Sequence, residues 1–113
     1  MTHKDIHDYL ISFPNTWLDF PFGEATSVYR IGYEDDGKPG KMFALIAENS
    51  NPLQISLKCD PLLAQKLRED YETVIPGYHL NKNNWNTIIC TGQVPDDELK
   101  SLISISYNLV AKD

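Results

Sequence analysis

Apolar and polar residues repeat along this chain with two different periods, and the switches between them mark out the elements. Ile6, Tyr9, Leu10 and Phe13 fall at i, i+3, i+4 and i+7, the spacing of one helical face. Thr2 followed by Asp5 resembles a capping box with Asp in the usual Glu position, and Pro14 ends the helix. Residues 26–31 favour a strand, and 42–48 predict a second, more buried one. Between them Asp36-Gly37 and Pro39-Gly40 both demand turns, so 34–40 forms a hairpin tip. After a turn at 49–52, Leu53, Ile55, Leu57 and Cys59 alternate strictly with Gln54, Ser56 and Lys58. That pattern predicts a strand with one buried and one polar face.

Asp60-Pro61 is a strong helix start: Asp accepts otherwise unpaired N–H bonds, and Pro stands where its missing donor costs nothing. This helix runs to about residue 71 and buries Leu63, Leu67 and Tyr71. Residues 74–76 are short and extended, and 86–91 predict a further strand. Pro95 opens a last helix, with Asp96, Asp97 and Glu98 in the turn where the helix dipole favours negative charge. Its apolar stripe is Leu99, Leu102, Ile103, Leu109 and Val110. Residues 15–23 hold Trp17, Phe20 and Phe22 around Pro21; the aromatics predict packing on the core, the Pro and Gly an irregular path. The order is α-β-β-β-α-β-β-α. Connections this short imply antiparallel pairing, and helices grouped on one side of the sheet give a two-layer α+β domain.

A chain of 113 residues is long enough for one core and too short for two, so a single domain over 1–113 is expected. Its apolar runs are too short to cross a bilayer, and the first helix carries His3, Asp5, His7 and Asp8 in place of a signal-peptide core. Cytoplasmic residence without a membrane partner is expected. Cys59 and Cys90 lie in apolar surroundings and read as small buried hydrophobes. The net charge of −6 opposes a strong electrostatic grip on nucleic acid, although the deficit is larger up to Leu57 than from Lys58 onward.

The densest polar chemistry lies in residues 77–85, Gly-Tyr-His-Leu-Asn-Lys-Asn-Asn-Trp, a stretch with neither helical nor strand periodicity. One reading is a binding loop, since loops held by rigid elements carry binding groups. The other is a structural turn, in which Trp85 starts the next strand and the Asn side chains bond their own backbone.

Phe22-Gly23-Glu24, Lys41-Met42-Phe43-Ala44, Leu57-Lys58-Cys59-Asp60-Pro61, Gly77-Tyr78-His79-Leu80-Asn81-Lys82 with Trp85, and Ser106-Tyr107 occur here in order over nearly the whole chain. Together they resemble the MmcQ/YjbR family of small bacterial proteins. The resemblance implies a two-layer α+β fold similar to secretion chaperones, with hairpins projecting as a double wing and a DNA-binding role. It sets Lys41 and Lys58 at the wing base and sheet, and His79, Asn81, Lys82 and Trp85 in the most characteristic loop. The first hairpin tip here is acidic (Glu34, Asp35, Asp36), which repels phosphate, and Asn84 stands where relatives often carry a basic or small residue.

Three functional classes follow, of which nucleic-acid binding is the leading assignment and a protein-interaction module the alternative. In the first, Arg30, Lys41, Lys58 and Lys82 meet phosphates while His79, Asn81 and Trp85 supply hydrogen bonds and stacking, giving weak, salt-sensitive DNA binding. In the second, the polar sheet face of Gln54, Ser56 and Lys58, or an open strand edge, docks a protein partner or a second copy, as in a chaperone-like adaptor. The third, catalysis or small-ligand binding, has less behind it. No carboxylate pair, metal-spaced cluster or glycine-rich phosphate loop accompanies His79, and nothing local activates Cys59. His3 and His7 are four apart, a chelating spacing, but on a solvated helix end they read as surface groups. A non-enzymatic protein needing no cofactor or metal is expected.

Overall fold

The computed structural model describes residues 1–33, 37, 39–77 and 80–112. The acidic tip residues Glu34, Asp35 and Asp36, and Tyr78 and His79 of the amide-rich loop, lie outside the described residues.

The chain folds as α1 (His3–Ile11), β1 (Thr16–Asp19), β2 (Thr26–Tyr33), β3 (Pro39–Ala47), β4 (Gln54–Lys58), α2 (Pro61–Asp70), β5 (Val74–Pro76), β6 (Trp85–Ile89) and α3 (Asp96–Ala111). The six strands form one antiparallel sheet in the order β1-β2-β3-β4-β6-β5. The expected fold class stands, with one strand more than the periodicity predicted. Residues 16–19, expected to run irregularly, pair with β2 at the sheet edge. Four residues are too few to establish an alternation, and Phe20 and Phe22 point away from the core that their aromatic character suggested.

Local chemistry sets the helix starts. Thr2 and Asp5 form the reciprocal capping box: the Asp5 N–H donates to Thr2 Oγ1 (3.1 Å) and the Thr2 N–H to Asp5 Oδ2 (3.0 Å). Asp60 caps α2 by accepting from the Leu62 and Leu63 N–H groups, with Pro61 at the first helical position. Pro95 occupies the cap position of α3 without a side-chain cap, so the three acids of the first turn complement that end.

All three helices cover the same face. Ile6 and Leu10 of α1, Leu67 of α2, and Leu99, Leu102, Ile103 and Val110 of α3 bury themselves against Tyr29, Phe43, Ile46, Ile55, Leu57 and Ile88 of the sheet. Adjacent positions on the strands point the other way, because side chains alternate across a pleated sheet. No helix among the described residues is long and apolar enough to cross a membrane.

Candidate functional site

The helix-free face is built by register. Leu45 of β3 stands beside Val28 of β2 and Ser56 of β4, and Ser56 stands beside Thr87 of β6. One row further, Ala47 lies between Thr26 and Gln54. Val28, Leu45 and Trp85 bury themselves here as a second, smaller apolar cluster, with Met42 and Leu80 packed against it. A cleft of about 430 Å³ opens on this face. Its floor is Thr26, Leu45, Ala47, Gln54, Ser56 and Thr87; Phe22, from the turn after β1, and Leu80, from the loop before β6, complete the lining. Ser56 and Thr87 join hydroxyls at 2.8 Å on the floor. Among the described residues, none that lines the cleft is charged.

The structure disperses the cations expected to meet phosphate. The Arg30 guanidinium donates through Nε to Asp19 Oδ2 (2.8 Å) and through Nη1 to the Gly40 carbonyl (2.8 Å), half-buried in both bonds. Lys41 shares a row with Ile31, which packs on the main core, so it borders the helix-covered side. Lys58 lies on the opposite, helix-free face beside Trp85. Both lysines are engaged within the chain. Lys82 is exposed, and its carbonyl accepts from Arg68 Nη1 at 3.0 Å.

The amide-rich loop spends much of its polarity on itself. Asn81 Oδ1 accepts from the Asn83 N–H, and the Asn81 carbonyl accepts from the N–H groups of Asn84 and Trp85. The Gly77 N–H donates to the Trp85 carbonyl at 2.9 Å, and the Asn84 carbonyl accepts from the Cys59 N–H at 2.8 Å. Trp85 is 7% exposed, so its ring is packed away rather than offered for stacking. His79, the remaining candidate of this loop, lies outside the described residues.

Other reactive groups go elsewhere. His3 Nε2 lies 2.9 Å from Glu48 Oε1, whereas His7 Nδ1 pairs with the Tyr29 hydroxyl at 2.7 Å, so the two imidazoles do not converge. Cys59 and Cys90 are free thiols. Burial pushes the Cys59 thiol up to about 11, and burial raises Cys90 as well, which keeps both protonated at neutral pH.

Charge is divided between the two layers. Asp5 and Asp8 lie on α1 with Lys4, Glu69 and Asp70 on α2 with Lys66 and Arg68, and Asp96, Asp97 and Glu98 on α3 with Lys100, so acids outnumber bases on the helix layer. Along the described rows of the helix-free face the charged residues are Asp19, Arg30 and Lys58, of which the first two neutralise each other.

Periodicity singled out Gln54, Ser56 and Lys58 as a polar face but missed Thr26, Leu45, Ala47 and Thr87 as part of a cleft. A signal was present. The unbroken apolar run 42–47 exceeds what a strand with one covered face requires, so the second face had to be apolar too.

The motif order, the fold and the cleft's position together define a small two-layer sheet domain with one face left open. Residues 11–109 match the YjbR family model, and the chain belongs to that family. It is 32% identical to the Escherichia coli O157:H7 protein YbdF over 108 residues, covering 96% of this chain and 83% of that one. It is 39% identical over 66 residues to YjbR of Escherichia coli K12, covering 58% and 56% of the two chains. Among solved structures, Deinococcus radiodurans protein DR2400, described by the domain DUF419, superposes with a TM-score of 0.91 at 37% identity, over 99% of this chain and 80% of that one. A Pseudomonas syringae protein superposes at 0.76 with 30% identity, over 97% and 99%.

Proposed function

We propose that this protein is a non-enzymatic binding module whose recognition surface is the helix-free face of the sheet. The cleft between Phe22 and Leu80 carries this reading, because two of the segments that mark the family supply its walls while the central strands supply its floor. The apolar lining and the near-neutral face argue for recognition by shape and burial rather than by phosphate neutralisation. Burial keeps both thiols protonated, and His3 and His7 are held by different partners, Glu48 and the Tyr29 hydroxyl, away from the cleft lining.

The test compares two tryptophans. Ala47→Trp fills the cleft, and Gln65→Trp alters the exposed side of α2. The ligand that wild-type protein retains from a mixture of short duplex DNA, single-stranded RNA and metabolites is expected to be lost by the first variant and kept by the second. The reverse pattern contradicts the proposal.

A second reading, DNA binding of the kind the family resemblance implies, draws on Lys58 beside Trp85 and on the exposed Lys82 in the adjoining loop. It predicts affinity that falls steeply with salt, with Lys82→Ala lowering the slope by about one contact. A flat salt response at measurable affinity removes it.

A further inference from the structure

Resting on that reading of the open face, we infer that the cleft holds a small, uncharged, largely apolar molecule bearing an oxygen acceptor. Its volume, about 430 Å³, falls within the range of about 300–1,000 Å³ typical of small-molecule pockets. Among the described residues the lining has no charged group, so an anion or cation entering it would shed water without gaining a counter-charge from them. Neutral ligands are therefore selected.

The floor supplies the polar preference. Each hydroxyl of the Ser56–Thr87 pair has one proton and two lone pairs, and the 2.8 Å bond between them consumes one proton. One O–H is left to donate, which matches a carbonyl or ether oxygen on the ligand. Leu45 and Ala47 supply apolar contact beside it, and the Gln54 amide lies one row away. Phe22 is 63% exposed at the edge of the cleft; a bound apolar molecule would cover that ring.

The experiment uses N-phenyl-1-naphthylamine, an uncharged fluorophore that brightens in apolar surroundings, with the intact protein. It is expected to bind saturably at one site, and acetophenone is expected to displace it about tenfold more effectively than benzoate, which has a similar ring with a charge. Ser56→Ala combined with Thr87→Val should narrow the advantage of acetophenone over ethylbenzene, because no hydroxyl is then left on the floor to donate. Ala47→Phe should weaken probe binding at least about tenfold with an unchanged far-ultraviolet dichroism spectrum. Thr26→Phe, from the neighbouring strand, serves if the first variant does not fold. Non-saturable binding, equal displacement by benzoate, or indifference to both fillings overturns the inference. A concentration-dependent dimer that excludes the probe also overturns it and assigns the face to a second copy. If DNA or a protein engages the face while the probe does not, the small-molecule inference falls and the binding-module reading survives. If nothing engages the face, both fall.

Discussion

Ser106 of α3 occupies a missing rung of the sheet through its contact with Phe43. The β3–β4 ladder ends at Ala44 and Leu57, and its next rung would join the Lys58 N–H to the Phe43 carbonyl. Instead the Lys58 N–H donates to Ser106 Oγ (2.9 Å), and Ser106 Oγ donates to the Phe43 carbonyl (2.5 Å). The gap lies beside the irregularity where β2 and β3 shift register, between the Tyr29–Ala44 and Arg30–Met42 pairs. A fully buried serine in an otherwise apolar helix stripe thereby has a structural reason. Ser106→Ala removes the hydroxyl that bridges the Lys58 N–H and the Phe43 carbonyl and is expected to cost about 1–3 kcal/mol, measured by urea unfolding. An unchanged midpoint would remove the hydroxyl from the account of the fold.

Gly77 is needed because of Trp85. A Cβ at residue 77 would stand 2.9 Å from the Trp85 Cβ and 3.2 Å from its carbonyl oxygen, where β5 leaves the sheet and turns toward the family loop. Gly77→Ala is expected to destabilise the protein by about 1–3 kcal/mol and to shift the Trp85 near-ultraviolet dichroism band. Wild-type stability with an unaltered band would contradict this close approach.

The Cys59 thiol gives a pH dependence with a definite sign. Its value in the folded protein is raised to about 11, chiefly by burial, so the unfolded chain releases this proton first as pH rises. The stabilising effect is complete below the unfolded value of about 8.5 and is lost as pH climbs toward 11. Wild-type stability is thus expected to fall more steeply than that of Cys59→Ala across this window, and iodoacetamide is expected to label Cys59 rapidly only after denaturation. Fast labelling of the native protein at pH 8 would show that the thiol is not held in this way.

Arg30 holds the sheet edge and is not poised to hold phosphate. Its pair with Asp19 and its bond to the Gly40 carbonyl join β1, β2 and β3. Arg30→Ala is expected to lower stability by about 1–3 kcal/mol and to leave the salt dependence of any DNA binding unchanged. A shallower slope in this variant would return Arg30 to the phosphate surface.

Local signals made the fold legible. The Thr2–Asp5 box, Asp60-Pro61 and the alternation of 54–58 each act within a few residues, and each appears in the structure at its expected place. β1 was not legible, because its pairing depends on β2 lying alongside rather than on its own period. The site was legible in part. Alternation exposes Ser56 on a polar face, but the hydroxyl facing it comes from Thr87, 31 residues away, and only strand order brings them together. Likewise the sequence shows that Arg30 is charged but not that Asp19 neutralises it across a strand pair.

The helix-free face as recognition surface is tested most directly by amide chemical-shift mapping of the whole chain against a neutral aromatic ligand, short duplex DNA and single-stranded RNA. Shifts from at least one of them should cluster at Thr26, Leu45, Ala47, Ser56, Leu80 and Thr87 while Asp8, Gln65 and Asp97 on the helix layer stay still. Perturbations confined to the helix layer, or none on the sheet face with any of the three, would contradict it.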